Sequence, residues 1–323
     1  MKPADQEISL SSPAARPEHS GRAAASWPLR LLKLLNRLLD VILLGGAGIL
    51  ILLGAYALAD NARIYAEADR KVYQVYRPTS GKAAFESLRK KNPEVQGWIC
   101  IPGTYIDYPF VQGDDNRKYT NLSPDGKFSL SGSLFLDSRN HPDCSDFNTF
   151  LYGHHMDHDE MFGGLDHYRD SSYFDRHRKG TLYLNDHAYG LEFFGLVNAD
   201  AYDTRVYTPA IPAAQKEQYL QALAERAERW QQEGVDASDH LLLLSTCADG
   251  RTNARLLLVG RILPDAEVPL TDPPAVTRSL SAHQQFPWPA VILLCFLMIL
   301  LISLLAKSRR NRQRKGMRKN LNL

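Results

Sequence analysis

The chain has 323 residues, 38 Lys and Arg against 36 Asp and Glu, a net charge of +2, and 44% hydrophobic residues. That length allows one to three domains, and the near-balanced charge gives no support to a nucleic-acid-binding function. Four cysteines are too few for a scaffold built on disulfides.

Residues 1–29 are rich in Ala, Ser, Pro and charge, the composition of a disordered tail. Residues 41–59, VILLGGAGILILLGAYALA, carry no charge. The run is longer than the roughly 7–15-residue core of a signal peptide and lacks a small-x-small cleavage site, so an uncleaved anchor helix is expected over 30–59. Residues 60–95 read as a helical lead-in, with Ser80-Gly81 starting a short second helix and Asn92-Pro93 stopping it.

From Gly97 the pattern changes to strands. GWICIPG, IDYPFVQ, GSLFLD, NTFLYGH, GTLYLN, YGLEFFGLVNA, HLLLLSTC and ARLLLVGRIL are short, rich in β-branched, leucine or aromatic residues, and separated by Gly, Pro, Asn and Asp. Eight such segments predict a mainly β domain over 96–264, closed or nearly closed as a barrel. One helix is predicted to interrupt it at 212–234, with Leu220, Leu223, Ala224 and Ala227 on one face and Gly234 as its end. A Pro-rich connector fills 265–285.

A second uncharged run, FPWPAVILLCFLMILLISLLA at 286–306, has the length of a helix crossing about 30 Å of hydrocarbon. The tail at 307–323 carries eight basic residues and no acid, whereas Arg278 is the only basic residue in the twenty before the run. In isolation such a tail would read as a nucleic-acid arm. Behind a membrane span it marks the cytoplasmic side. Two spans then place both termini inside and residues 60–285 outside.

Cys295 falls in the second span, which leaves Cys100, Cys144 and Cys247 outside, an odd number. A Cys100–Cys144 bridge is open, though the reading favours free thiols. At least one thiol is unpaired in an oxidising compartment, which points to chemistry. Cys247 stands where an apolar strand gives way to a polar turn. A thiol nucleophile needs a base or a lowered pKa. His154 holds the corresponding position, directly after the NTFLY strand and Gly153, with His155 and His158 as rivals. The crowded HHMDHDE stretch invites a metal reading, but its spacing fits no H-E-x-x-H or Cys/His zinc pattern, and no cofactor is expected. His141, His167, His177, His187 and His240 read as loop or surface residues.

An oxyanion needs a donor. If the strands flanking ADGRTN pair antiparallel, Cys247 lies opposite about Ala254 and Arg255 is adjacent. Arg251, in the turn, could also reach. An arginine in an apolar strand is costly unless paired or functional, and the plain alternative is an arginine on an exposed edge.

Taken together, GWICIPGTYIDYPFVQ, GSLFLD, NTFLYGHHM, LLSTC and NARLLLVGRI resemble the sortases, membrane-anchored cysteine transpeptidases of the Gram-positive cell surface. The resemblance spans residues 92–263 and rests on NPEVQGWI, YGH-x-M and LSTC in combination. The helix-bearing insertion is similar to that of class B. The resemblance implies an eight-stranded barrel and a His154–Cys247–Arg255 active site. Cys247 would be the nucleophile, His154 would protonate the leaving amine, and Arg255 with backbone N–H groups would hold the oxyanion. Ser245 and Thr246 would line the substrate groove.

The implied partners are proteins bearing an NPxTx- or LPxTG-like sorting signal, and the amine of a peptidoglycan precursor or a pilin lysine. The C-terminal span with its basic tail is more typical of class C, yet no D-P-[WF] lid motif precedes the barrel. The acceptor, and the roles of His155 and His158, stay open. So do two other readings: a hydrolase that resolves the same thioester with water, and a binding domain in which Cys247 is merely a small buried hydrophobe.

Overall fold

The computed structural model describes residues 26–78, 82–184, 186–231, 234–247, 253–267 and 310. The chain divides into two units, Met1–Asp272 and Pro273–Leu323. The second predicted span, the connector beyond Glu267 and the basic tail apart from Arg310 lie outside the described residues.

Helix α1 is continuous from Ser26 to Ala68, running from the expected anchor into the lead-in, and residues 26–29, read as part of a disordered tail, are helical. The cause is local. Pro28 sits in the first turn, where it is tolerated, and no Pro or Gly follows Gly54 within the helix. An Arg63–Glu67 pair one turn apart (2.8 Å) supports the last turns. Over Trp27–Ala68 the helix is long and apolar enough to cross a membrane, and its most apolar stretch buries nothing against the protein. Asp69 then accepts a hydrogen bond from the Lys71 amide at 2.9 Å and turns the chain into two short 3-10 segments, Arg70–Val72 and Gln74–Tyr76. Helix α2, Lys82–Lys91, ends on Arg89, Lys90 and Lys91, cations that suit a helix C-terminus. Asn92 and Pro93 close it as expected.

The strands are β1 (Val95–Cys100), β2 (Asp107–Val111), β3 (Leu134–Leu136), β4 (Asn148–Tyr152), β5 (Lys179–Leu184), β6 (His187–Asp200), β7 (Ala227–Trp230), β8 (His240–Cys247) and β9 (Ala254–Glu267). Helix α3 (Ser171–Arg176) precedes β5, and α4 (Lys216–Ala224) lies between β6 and β7. The sheet order is β5-β1-β2-β3-β4-β8-β9-β6, and a β5–β6 hairpin closes it into an eight-stranded barrel. β6 is 14 residues long. Its first half pairs with β5 and its second with β7, a ninth strand outside the ring.

That ninth strand corrects the predicted helix at 212–234. Only Lys216–Ala224 is helical. The chain turns at Glu225 and Arg226, where Arg226 Nη1 donates to the Ala222 carbonyl at 2.6 Å. Residues 227–230 then cover the otherwise open edge of β6, an edge that proteins rarely leave bare. Trp230 packs edge-on against Phe194 and lies over Gly195, where a Cβ would meet the indole at 2.6 Å. Tertiary pairing overrides a helical pattern here.

The four leucines of β8 are all fully buried, because both sheet faces are covered. Leu242 and Leu244, with Trp98, Phe110, Leu182, Leu256 and Leu258, fill the barrel. Leu241 and Leu243, with Phe147, Phe150, Leu257 and Val259, pack under the insertion that carries Tyr219, Leu220 and Leu223. A strand buried on both sides reads as a continuous apolar run rather than an alternation.

The lead-in is tied to the barrel by a buried cluster. Asp107 Oδ1 accepts from Arg77 Nε (2.9 Å) and Trp98 Nε1 (2.7 Å), and Oδ2 accepts from Gln74 Nε2 (3.1 Å). The Arg77 and Asp107 side chains are 2% and 1% exposed. Truncating one partner would leave a buried charge uncompensated. Asp107→Ala is therefore expected to lower unfolding stability by about 3–5 kcal/mol, read from the denaturant midpoint of the purified chain.

Candidate active site

β4 runs parallel to β8, with Asn148 beside Leu241 and, four residues on, Tyr152 beside Ser245. The pairing continues past the strand end, since the Gly153 amide donates to the Ser245 carbonyl at 3.1 Å. His154 follows two residues beyond the end of β4. On the other side β8 pairs antiparallel with β9, and Cys247 is directly opposite Arg255. The pairing differs by one residue from the expected partner, about Ala254. β4, β8 and β9 are adjacent strands spaced by about 4.8 Å, with Cys247 and Arg255 paired across β8 and β9 and His154 just past the end of β4. Leu243, Leu257 and Val259 lie in the row beneath the insertion.

His154 is half-buried, and its Nε2 lies 2.9 Å from the Thr120 carbonyl. A carbonyl only accepts, so Nε2 carries a proton and Nδ1 is the nitrogen left to exchange one. Gly132, at φ +61°, makes room for that carbonyl: a Cβ there would stand 2.7 Å from the Thr120 and Tyr119 oxygens. Arg255 is half-buried, and its Nη1 donates to the Ala254 carbonyl at 3.1 Å. Among the described residues no carboxylate pairs with it, so its charge is not neutralised by an ion pair there.

Ser245 and Thr246 are each 2% exposed, so neither presents surface to a groove as expected. The reason is the double cover of β8. Thr246 pairs with Leu256 in the row facing the barrel interior, and its Oγ1 has no hydrogen-bond partner among the described residues. Ser245 lies in the other row, where its Oγ is 3.0 Å from the Tyr207 hydroxyl. Tyr207 stacks on Phe150 (5.5 Å), which stacks on Tyr152 (6.0 Å), giving an aromatic floor that leads to the strand ends. The Tyr152 hydroxyl donates to Asp137 at 2.9 Å. Burial alone would raise the Asp137 carboxyl, but Arg139 and Tyr152 outweigh it and hold the pKa below its ordinary value.

The other cysteines of the barrel are unsuited to nucleophilic work. Cys100 and Cys144 are free thiols, 2% and 3% exposed. Burial, reinforced by nearby carboxylates, pushes both up to about 12. Their folded values lie above the unfolded thiol value of about 8.5. Each therefore adds stability that is complete below that pH and is lost as the pH rises through 12.

The HHMDHDE cluster is spent on side-chain pairs. His155 Nε2 is 2.5 Å from Asp166 Oδ2, His167 Nε2 is 2.8 Å from Asp159, and the His158 ring lies edge-on against Tyr65. Among the described residues no three His, Cys, Asp or Glu side chains gather closely enough to hold a metal ion. Sequence reasoning missed Thr120, Tyr207 and β7. A backbone carbonyl leaves no trace in composition, and Tyr207 lies 38 residues from its partner Ser245.

Comparison with known proteins identifies the family of the barrel. A family model described as the Sortase domain matches residues 99–262. The chain is 32% identical over 184 residues to Sortase B of Staphylococcus aureus, covering 55% of this chain and 74% of that one. The crystal structure of Staphylococcus aureus Sortase B superposes with a TM-score of 0.55 at 29% identity, covering 60% of this chain and 96% of that one. A Streptococcus pyogenes class B sortase involved in pilus biogenesis gives 0.52 at 32% identity, covering 55% and 97%. The barrel, its insertion and these relatives together establish that the chain belongs to the sortase family, as a cysteine transpeptidase of the class B type.

Proposed function

We propose that the chain is a membrane-anchored sortase that cleaves a sorting signal of NPxTx or LPxTG type through a thioester on Cys247. The acyl protein then passes to the amine of a cell-wall precursor. The observation that supports this reading is the pairing of β8 with both neighbours: Cys247 lies opposite Arg255 on β9, and β4, alongside on the other side, ends two residues before His154.

The chemistry follows from those positions. Cys247 sulfur attacks the carbonyl carbon of the threonine of the signal, its proton passing to His154. The resulting oxyanion is met by Arg255 and backbone N–H groups. His154 returns the proton to the departing amine as the C–N bond breaks, which leaves the thioester. An incoming amine attacks the thioester carbonyl, gives up a proton through His154 and expels the Cys247 thiol, so the enzyme emerges unchanged. Thr120, by fixing the imidazole, sets which nitrogen does this work. Ser245 contributes by holding the Tyr207 hydroxyl, and Thr246 belongs to the core.

A second reading has an observation behind it. The Streptococcus pyogenes relative is involved in pilus biogenesis, and on that likeness the acceptor here would be a lysine of another pilin rather than a wall precursor. The proposed location is the outer membrane-proximal surface of the cell, with α1 as the first span and 286–306 as the second.

Cys247→Ala is expected to abolish cleavage of a sorting peptide. Retained cleavage in that variant would remove the proposal. Arg255→Ala should lower kcat by about 10²–10³, with Arg255→Lys intermediate because a point charge replaces a planar fork. Mass spectrometry of products with and without an added amine separates transfer from hydrolysis: the amide product is expected to dominate when amine is present. At pH 8 a thiol reagent should modify Cys247 in the folded chain, while Cys100 and Cys144 react only after denaturation.

A further inference from the structure

The loop that follows His154 is strained and clamped from outside the barrel. Its ends are joined, since the Phe162 amide donates to the His154 carbonyl at 3.0 Å and His155 bridges Met161. Within it His158, Asp159 and Met161 all have positive φ, at 65°, 62° and 53°, a conformation that side-chain-bearing residues adopt only when their surroundings impose it. The return is equally tight. A Cβ on Gly163 would fall 1.8 Å from the Met156 carbonyl.

What imposes the conformation is in large part helix α1. The Tyr65 hydroxyl donates to Asp157 Oδ2 at 3.1 Å, and the Tyr65 ring meets the His158 ring edge-on at 5.0 Å. His158 Nδ1 is buried with no hydrogen-bond partner among the described residues, so this ring is seated by packing. One turn on, the Tyr108 hydroxyl lies 3.1 Å from the Ala68 carbonyl and 2.7 Å from Glu160 Oε2, and it receives the Met161 amide at 3.3 Å. On the far side His155 holds Asp166, which also binds Arg169, and Arg169 reaches Glu228 on β7 at 2.9 Å.

We infer that Tyr65, on the helix that leads out of the membrane span, is a positioning residue for His154. The final turns of α1 brace the 154–162 loop and so hold the imidazole at the register where it can serve Cys247. This gives the unexplained histidines a role: His158 is the seat for Tyr65, and His155 ties the opposite end of the loop to β7. The inference rests on the reading of His154 as the acid–base residue.

The test uses the full chain in detergent micelles with a fluorescence-quenched peptide of the NPxTx type, rates being expressed per titratable active-site thiol. Tyr65→Ala is expected to lower kcat about tenfold with KM within about twofold of the parent, since a small misplacement of an acid–base group slows chemistry without weakening binding. Tyr65→Phe keeps the ring on His158 but frees Asp157, and should lose about threefold in kcat. Hydrogen exchange at the Phe162 amide should accelerate in both variants while the β8 amides stay protected. Parent-like kcat per site in Tyr65→Ala overturns the inference. Should that variant fail to fold, Tyr65→Phe decides: unchanged kcat together with unchanged Phe162 exchange overturns it. His154→Ala separates this claim from the one beneath it, because activity retained there defeats the acid–base reading itself.

Discussion

The parallel pairing of β4 with β8 is the constraint on which the rest of this molecule depends. Its register puts Tyr152 beside Ser245 and so brings the strand end that precedes His154 level with the end of β8, almost a hundred residues away in sequence. A slip of one residue would turn every side chain of β8 to the opposite face, moving Leu242 and Leu244 out of the barrel. The same leucines that make the slip expensive therefore set the relative height of positions 154 and 247. Core and chemistry are specified by one set of contacts, and β9 adds the arginine by pairing with the same strand.

Much of this was readable from the chain. The eight ring strands, the histidine at one strand end, the cysteine at another and the arginine after a short polar turn each have a local signature. What was not readable is tertiary. Residues 227–230 carry a helical pattern but serve a bare sheet edge as β7, and nothing local announces that edge. Thr246 looks like a polar residue at the mouth of a site, yet the double covering of β8 keeps it in the core. The Thr120 carbonyl that fixes the imidazole is backbone, so no residue type encodes it. The histidine-rich stretch invited a metal reading that its spacing did not support, and its real partners, Tyr65, Asp166 and His167, were not visible in the sequence.

The lead-in shows how a buried charge can serve architecture. Arg77 and Asp107 are held out of water by the Trp98 indole and the Gln74 amide, and such a pair tolerates little rearrangement. It fixes the segment between helix and barrel at one place. Cys100 shares that pocket, its sulfur 3.4 Å from Arg77 Nη2, and is kept inert by burial. One buried arrangement thus silences a thiol and secures the approach to the barrel.

The separation of the two central strands has a kinetic consequence. β4 ends before the whole β5–β6 hairpin, the insertion and β7 are made, and only then does β8 arrive to lie against it. Closing so long a loop delays the pairing entropically, and topologies dominated by distant contacts fold slowly. During folding the leucine-rich strand is placed late, with both of its faces unsatisfied until the ring closes around it. The folding chain is thus most prone to self-association until its last two strands are in place.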